Sequence, residues 1–428
     1  MKATDWPQVA LGDACIRITD GAHWSPASVS VGKPMASVKD LSEYGISIET
    51  CRLVALEDYE RLVAEGCRPQ SGDVLIAKDG ATALDTVCVV KESPDVVLLS
   101  SIAILRPDTN VLHPLFLRYV LSAPEVRDYI KGAFTSGAAI PRVVLKDFKR
   151  VLLPAPPLDI QRKIVAVLSA YDDLIENNNR RIKLLEEMAQ RIYREWFVDF
   201  RYPGHQDVPL VESELGPVPE GWGVVPLSAV CERITDGAHL SPESQIIGRP
   251  MASVKDMTPR RLALNDCRRI DLADYEALVR QDCQPRVNDI LIAKDGSYLK
   301  HVFVVREAEE VVILSSIALL RPNGSIQPDL LALGLRQPET KERLRGLVSG
   351  VAIPRIVLKD FRTFPIVRPP DELQRDFVFR VVPLLLLAME LDNSNLILRA
   401  TRDLLLPRLI SGQVDVAQLD IAMPELAA

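Results

Sequence analysis

The sequence has no Cys-x-x-Cys pair, and its seven cysteines are an odd number. Neither a disulfide framework nor a familiar zinc spacing is indicated, and reduced thiols packed in the interior are expected. The opening "MKATDWPQVALGDAC" lacks the apolar core of a signal peptide, and the most apolar run, "VVPLLLLAMEL", is too short to cross a bilayer. A cytoplasmic chain with no membrane partner is therefore expected. There is no Gln/Asn, Ser or Gly tract that would stay unfolded. Also missing are a nucleophile elbow, an HExxH, a P-loop, a GxGxxG after a strand and the Asn-Pro-Pro-aromatic tetrapeptide of an amino-methyltransferase. No familiar catalytic chemistry is indicated. The net charge of −7 argues against coating nucleic acid through bulk electrostatics, yet leaves room for a few focused contacts.

What the chain does have is a duplication. Its 428 residues suit two or more domains, and "ITDGAHWSP" at 18–26 returns as "ITDGAHLSP" at 234–242, an offset of 234 − 18 = 216. The same offset pairs Trp6 with Trp222, Lys39 with Lys255 in "MASVKD", Tyr59 with Tyr275, and "LIAKDG" with itself. Cys15, Cys51 and Cys67 likewise recur at Cys231, Cys267 and Cys283. Short deletions follow: "LLSSIAILRP" matches at offset 215 and "SGAAIPRVVLKDF" at 213. Such self-similarity decides the architecture before any single element does.

Within each copy, Val- and Ile-rich runs bounded by Gly, Pro and Asp read as strands, with short helical stretches between them, which makes each copy an α+β domain. After "LPAPP" the texture changes. From Leu158 to Val198 there is no Gly or Pro, and seam positions fall at Ile160, Ile164, Val167, Tyr171, Leu174, Asn178, Ile182, Leu185, Ala189, Ile192 and Trp196. Spacing of three and four is a coiled-coil seam, with Asp159 as its expected N-cap. A second seam begins at "PPDELQRDF" and uses Phe377, Val381, Leu384, Ala388, Leu391, Asn395 and Leu398, with Pro383 expected to kink it. The simplest burial of two such stripes is against each other, antiparallel, with Asn178 and Asn395 setting register. The expected order is a first domain at 1–154, a spacer helix at 155–201, a second domain at 202–367, a second helix at 368–412 and a tail at 413–428. An antiparallel pair would relate the two domains by an approximate two-fold.

In the repeated nonamer, Asp20-Gly21 gives a tight turn that presents His23 and Ser25. Lys39, Lys78 and Arg142, with Lys255, Lys294 and Arg355, suit phosphates or guanine edges; His23, Ser25, His239 and Ser241 suit either. A catalytic alternative would pair Asp20 with His23 and Asp236 with His239, but it lacks a nucleophile. A second alternative is a protein-only adaptor whose coiled coil is the working part.

Taken in order, "DGAH-SP", "AKDG", "SG-AIPR--LKDF", the "PPL-D-Q" helix starts with Asp159 and Gln161 and with Gln374 in the second copy, "REWFVDF" and "DLLLPRLISG" make the chain resemble the specificity subunits of Type I restriction-modification systems along almost its whole length. The resemblance implies an α+β fold of two similar target-recognition domains, each contacting one half of a bipartite double-stranded DNA sequence, separated by two conserved antiparallel helices. It implies a non-catalytic subunit that docks two methyltransferase subunits, which bind S-adenosylmethionine and methylate adenine. Restriction subunits would complete the assembly, and no cofactor would be bound by this chain. Leu184, Trp196 and Phe197, apolar beyond what one seam needs, are the expected docking residues. Because the two copies are so alike, the half-sites are expected to be related and inverted.

Overall fold

The computed structural model describes residues 6–80, 83–136, 142–296, 299–346, 348–349 and 355–421. Residues 81–82 of "ATALDTVC", 297–298 of "SYLKHVFV", most of both "SG-AIPR" segments and the end of the tail lie outside the described residues. By contact the chain divides into two compact units, Met1–Asn178 with Asn393–Ala428, and Asn179–Asp392. Each unit joins one sequence repeat to half of each long helix. The helices expected as a separate spacer are thus apportioned between the units, because their apolar faces bury against the repeats.

In the first unit a four-stranded antiparallel sheet runs Cys15–Asp20, Ile102–Pro107, Val74–Ala77, Val87–Val89 in spatial order. The strand Val74–Ala77 is buried at every residue, as an unbroken Val-Leu-Ile-Ala run covered on both faces should be. A second sheet places Lys33–Ala36 between an antiparallel Arg52–Val54 and a parallel Val97–Leu98. The second unit repeats both sheets. One is Cys231–Asp236, Ile317–Pro322, Ile290–Ala293, Val302–Val304; the other centres Arg249–Ala252 between Arg268–Ile270 and Val312–Ile313. Under each four-stranded sheet an arginine from "LRP" grips the aspartate that precedes the central strand: Arg106 with Asp73 at 2.7 and 2.9 Å, Arg321 with Asp289 at 2.7 Å twice.

The long helices run Leu158–Phe197 and Asp371–Ile410. Their starts show what the recurring glutamine is for. The Gln161 side chain accepts from the His113 backbone at 2.8 Å and donates to the carbonyls of Val111 and Pro156 at 2.9 and 2.8 Å. Gln374 does the same with Gln327, Ser325 and Pro369. A buried amide with its hydrogen-bonding capacity met fixes each helix to its globular repeat. Asp159 lies inside the first turn and not at the N-cap; there it still favours the positive end of the helix dipole.

Pairing is antiparallel in each unit. In the first, Asn178 meets Asn395 and Asp172 meets Arg402, position sums of 178 + 395 = 573 and 172 + 402 = 574. In the second, Phe197 packs on Phe377 with ring centroids 4.8 Å apart, and 197 + 377 = 574. The seam differs from the expected one at Leu174, which is 53% exposed, while its neighbour Ile175 is fully buried. Pro383 lies within the assigned helix and does not end it. This second helix is long and apolar enough, with mean hydropathy 1.5 over its best window, to pass a length-and-composition test for a membrane span. Of that window 17% is buried, and along the helix Phe377, Val381 and Asn395 are fully buried.

Candidate nucleic-acid interface

Four chain segments of the first unit meet at the end of its larger sheet. The strand Cys15–Asp20 runs into the "DGAH" turn, where Ala22 donates its N–H to the Leu98 carbonyl at 2.7 Å and Ser100 donates back to Ala22 at 2.9 Å. A Cβ on Gly21 would stand 2.1 Å from the Leu98 oxygen, so glycine is required here by close backbone approach and not by a left-handed turn. The central strand Val74–Ala77 leads into Lys78, whose N–H reaches Ser101 and whose carbonyl accepts from Val143, at 2.9 and 3.0 Å. That last bond brings in the segment carrying Arg142. Gly80 then turns the chain at φ +104°.

These segments build one chain of charges. His23 Nε2 lies 3.1 Å from Asp20 Oδ1, and Lys78 Nζ lies 3.3 Å from the other Asp20 oxygen and 3.2 Å from Asp79. Asp79 in turn meets Arg142 at 3.2 Å. The second unit repeats three of these four links: His239 to Asp236 at 3.1 Å, Lys294 to Asp236 at 2.5 Å, and Arg355 to Asp295 at 3.1 Å. Gly237 fills the same tight place, its Cβ position 2.0 Å from the Ile313 oxygen.

Depth divides the roles. The His23 and His239 side chains are 69% and 76% exposed, and those of Arg142 and Arg355 are 50% and 57%. Lys78 and Lys294 are expected from sequence to touch phosphates or guanines. That expectation is corrected: their side chains are 1% and 5% exposed and held by the aspartates, so as placed they present no ammonium to a ligand. They follow a wholly buried strand, and their charge is spent beneath the turn. Lys39 and Lys255 lie exposed on short 3-10 turns that Ser37 with Asp40, and Ser253 with Asp256, close as capping boxes; no contact recorded in the structure joins them to the histidine cluster. Ser25 accepts from Arg52 at 2.7 Å, and Arg52 also holds the Pro26 carbonyl. In the second copy Arg268 holds Pro242, and Ser241 is exposed.

Sequence reasoning missed Asp79, Asp295, Arg52 and Arg268. All four recur at offset 216, which was the signal available. The copies differ right after the histidine. Trp24 donates to Glu65 at 3.3 Å and lies under the Arg61 guanidinium at 4.7 Å, whereas Leu240 is 71% exposed. Nor does the cluster offer an activated thiol: Cys67, which feels Asp20, has its pKa pushed up to about 11, by burial first and by Glu65 and Asp20 after it.

On the helices, Leu184 is 58% exposed. Trp196 and Phe197 are not. They are 8% and 6% exposed and stack on Phe377, with Phe197 also against Trp222. Their expected docking role is corrected to that of core residues tying the helix end to the second unit. Exposed apolar side chains that the sequence did not single out include Phe379 at 81% and Ile397 at 68%.

Comparison with known proteins bears on this arrangement. Residues 64–187 match the family described as Type I restriction modification DNA specificity domain. The chain is 25% identical over 309 residues to the Type I restriction enzyme MjaIX specificity subunit of Methanocaldococcus jannaschii, covering 71% of this chain and 70% of that one. It is 23% identical over 402 residues to the HindI specificity subunit of Haemophilus influenzae, covering 81% and 87%. The crystal structure of a Type I restriction-modification S subunit from M. genitalium shares the fold at a TM-score of 0.54 and 15% identity, over 96% of this chain and 98% of that chain.

Proposed function

We propose that the chain is a specificity subunit of the Type I restriction-modification family, which reads a bipartite double-stranded DNA sequence and delivers a methyltransferase to it. The observation that carries this reading is the cluster built twice: Asp20, His23, Lys78 and Arg142 in one unit, Asp236, His239, Lys294 and Arg355 in the other. Two equivalent surfaces, each offering an exposed imidazole and an exposed guanidinium, suit two half-sites. An acidic protein can bind DNA this way because base readout and register rest on a few contacts, while partner proteins share the phosphates.

The exposed apolar residues of the long helices, Leu184 among them, dock two methyltransferase subunits, which carry S-adenosylmethionine and transfer the methyl group to adenine; restriction subunits join through them. This chain binds no cofactor and catalyses no step, and it works in the cytoplasm. The segments shared by the two repeats and the antiparallel helices support half-sites that are related and inverted around a non-specific spacer.

The test is methyl transfer to plasmid DNA by the purified chain, by its methyltransferase partner, and by the two mixed. Sequence-specific transfer by the mixture alone is the expected outcome. Robust transfer by this chain alone overturns the reading.

A further inference from the structure

An imidazole has two nitrogens, and the partner of one decides what the other can do. In both units Nε2 faces a carboxylate oxygen at 3.1 Å. An ionised carboxylate only accepts, so the ring hydrogen belongs to Nε2. That leaves Nδ1 of the singly protonated ring with a lone pair and no hydrogen, on a side chain that is 69% exposed in one unit and 76% in the other. The aspartate is held from behind by a buried lysine, Lys78 to Asp20 at 3.3 Å and Lys294 to Asp236 at 2.5 Å. A buried ion pair contributes little to stability on balance, yet this one is built twice in the same place under the same ring.

Resting on the DNA-reading function above, we propose that His23 and His239 each read a base by accepting, at Nδ1, a hydrogen bond from an exocyclic amino group. Asp20 with Lys78, and Asp236 with Lys294, are the positioning residues that fix the ring hydrogen on Nε2. A phosphate oxygen has no hydrogen to give to Nδ1, so the histidines carry sequence information, whereas Arg142 and Arg355 beside them, donors only, suit phosphates or guanine acceptors. The amino group is adenine N6 or cytosine N4 in the major groove, or guanine N2 in the minor groove. Since the geometry is the same in both units, one kind of amino-bearing base recurs in both half-sites.

The experiment uses the full chain in complex with its methyltransferase, at pH 8. Competition binding compares the duplex methylated in cells with duplexes in which single half-site bases lack the amino group: purine for adenine, 2-pyrimidinone for cytosine, hypoxanthine for guanine. At one position per half-site the change weakens binding by about 2- to 10-fold, the worth of one neutral hydrogen bond. His23→Phe, which keeps a ring but has no acceptor, abolishes that sensitivity in one half-site and leaves it in the other; His239→Phe does the converse. Specific binding with no analogue effect, or an analogue effect that survives both substitutions, overturns the inference while leaving the DNA-reading function standing. Failure to prefer the methylated duplex over a scrambled one overturns both.

Discussion

Asn178 donates from its side-chain amide to the Asn395 side-chain oxygen at 2.9 Å, and both residues are buried. One residue belongs to the first long helix and the other to the second, so this bond marks a register position inside the first unit. A polar pair in an apolar seam gives up some stability and penalises every misaligned pairing. Asn395→Leu is expected to cost about 1 to 3 kcal/mol, because the Asn178 amide stays buried with its partner gone. The double leucine variant should regain most of that. Denaturant midpoints of the three proteins check the order; a single variant as stable as the parent would contradict it.

Lys78 and Arg142 should behave in opposite ways. Lys78→Ala leaves the Asp20 carboxylate without its buried counter-charge and is expected to destabilise by about 3 to 5 kcal/mol. Arg142→Ala removes a half-exposed guanidinium, so stability should move by less than about 0.5 kcal/mol. DNA binding would fall, with the salt slope reduced by about one unit for a phosphate contact, or with specificity relaxed at a cost of about 1 to 3 kcal/mol for a base contact. Thermal unfolding and salt-dependent binding of both variants separate the roles; equal loss of stability in the two would contradict the assignment.

The first unit should weaken in acid through Asp172. Burial alone would raise its pKa, but the adjacent Arg118 and hydrogen bonds from Tyr119 and Arg402 hold it below the ordinary carboxylate value. A depressed carboxyl contributes stability that is fully present above the unfolded value of about 3.9 and is lost as pH falls through the folded one. Asp172→Asn should lower stability at pH 7 and flatten the decline below about pH 4. Unfolding midpoints from pH 7 to pH 2.5 decide it; a variant with the same acid limb as the parent would show that other carboxylates set it.

Leu184 and Trp196 give a test of partner docking. Leu184→Glu changes an exposed position and should leave the unfolding midpoint in place while the methyltransferase no longer co-purifies. Trp196→Glu should instead destabilise the second unit by at least the roughly 3 to 5 kcal/mol typical of losing a buried tryptophan side chain. If co-purification survives Leu184→Glu, the docking surface lies elsewhere on the helices, with Phe379 and Ile397 next to be tried.

Much of this architecture was legible in the sequence, because a duplication is a pattern along the chain and so is a seam of apolar residues at three and four. The Asn178–Asn395 pair could be anticipated because both lie on such seams. Depth could not be read. Lys78 looked like a surface ligand because lysine usually is one, and the aspartate that holds it lies 58 positions earlier in sequence, in another strand. Trp196 and Phe197 looked surplus to the seam because Trp222, which Phe197 touches, and Phe377, which both touch, come from distant segments. The glutamines at the helix starts were visible as a motif, but their use required the carbonyls they bind.

The central claim is that this chain chooses the DNA sequence at which its partner acts. Sequencing of methylated adenines in cells carrying the intact system, and in cells lacking only this chain, tests it most directly. The expected result is methylation at one bipartite sequence with related, inverted half-sites, lost entirely when the chain is removed. A methylation pattern that persists unchanged in its absence would contradict the account.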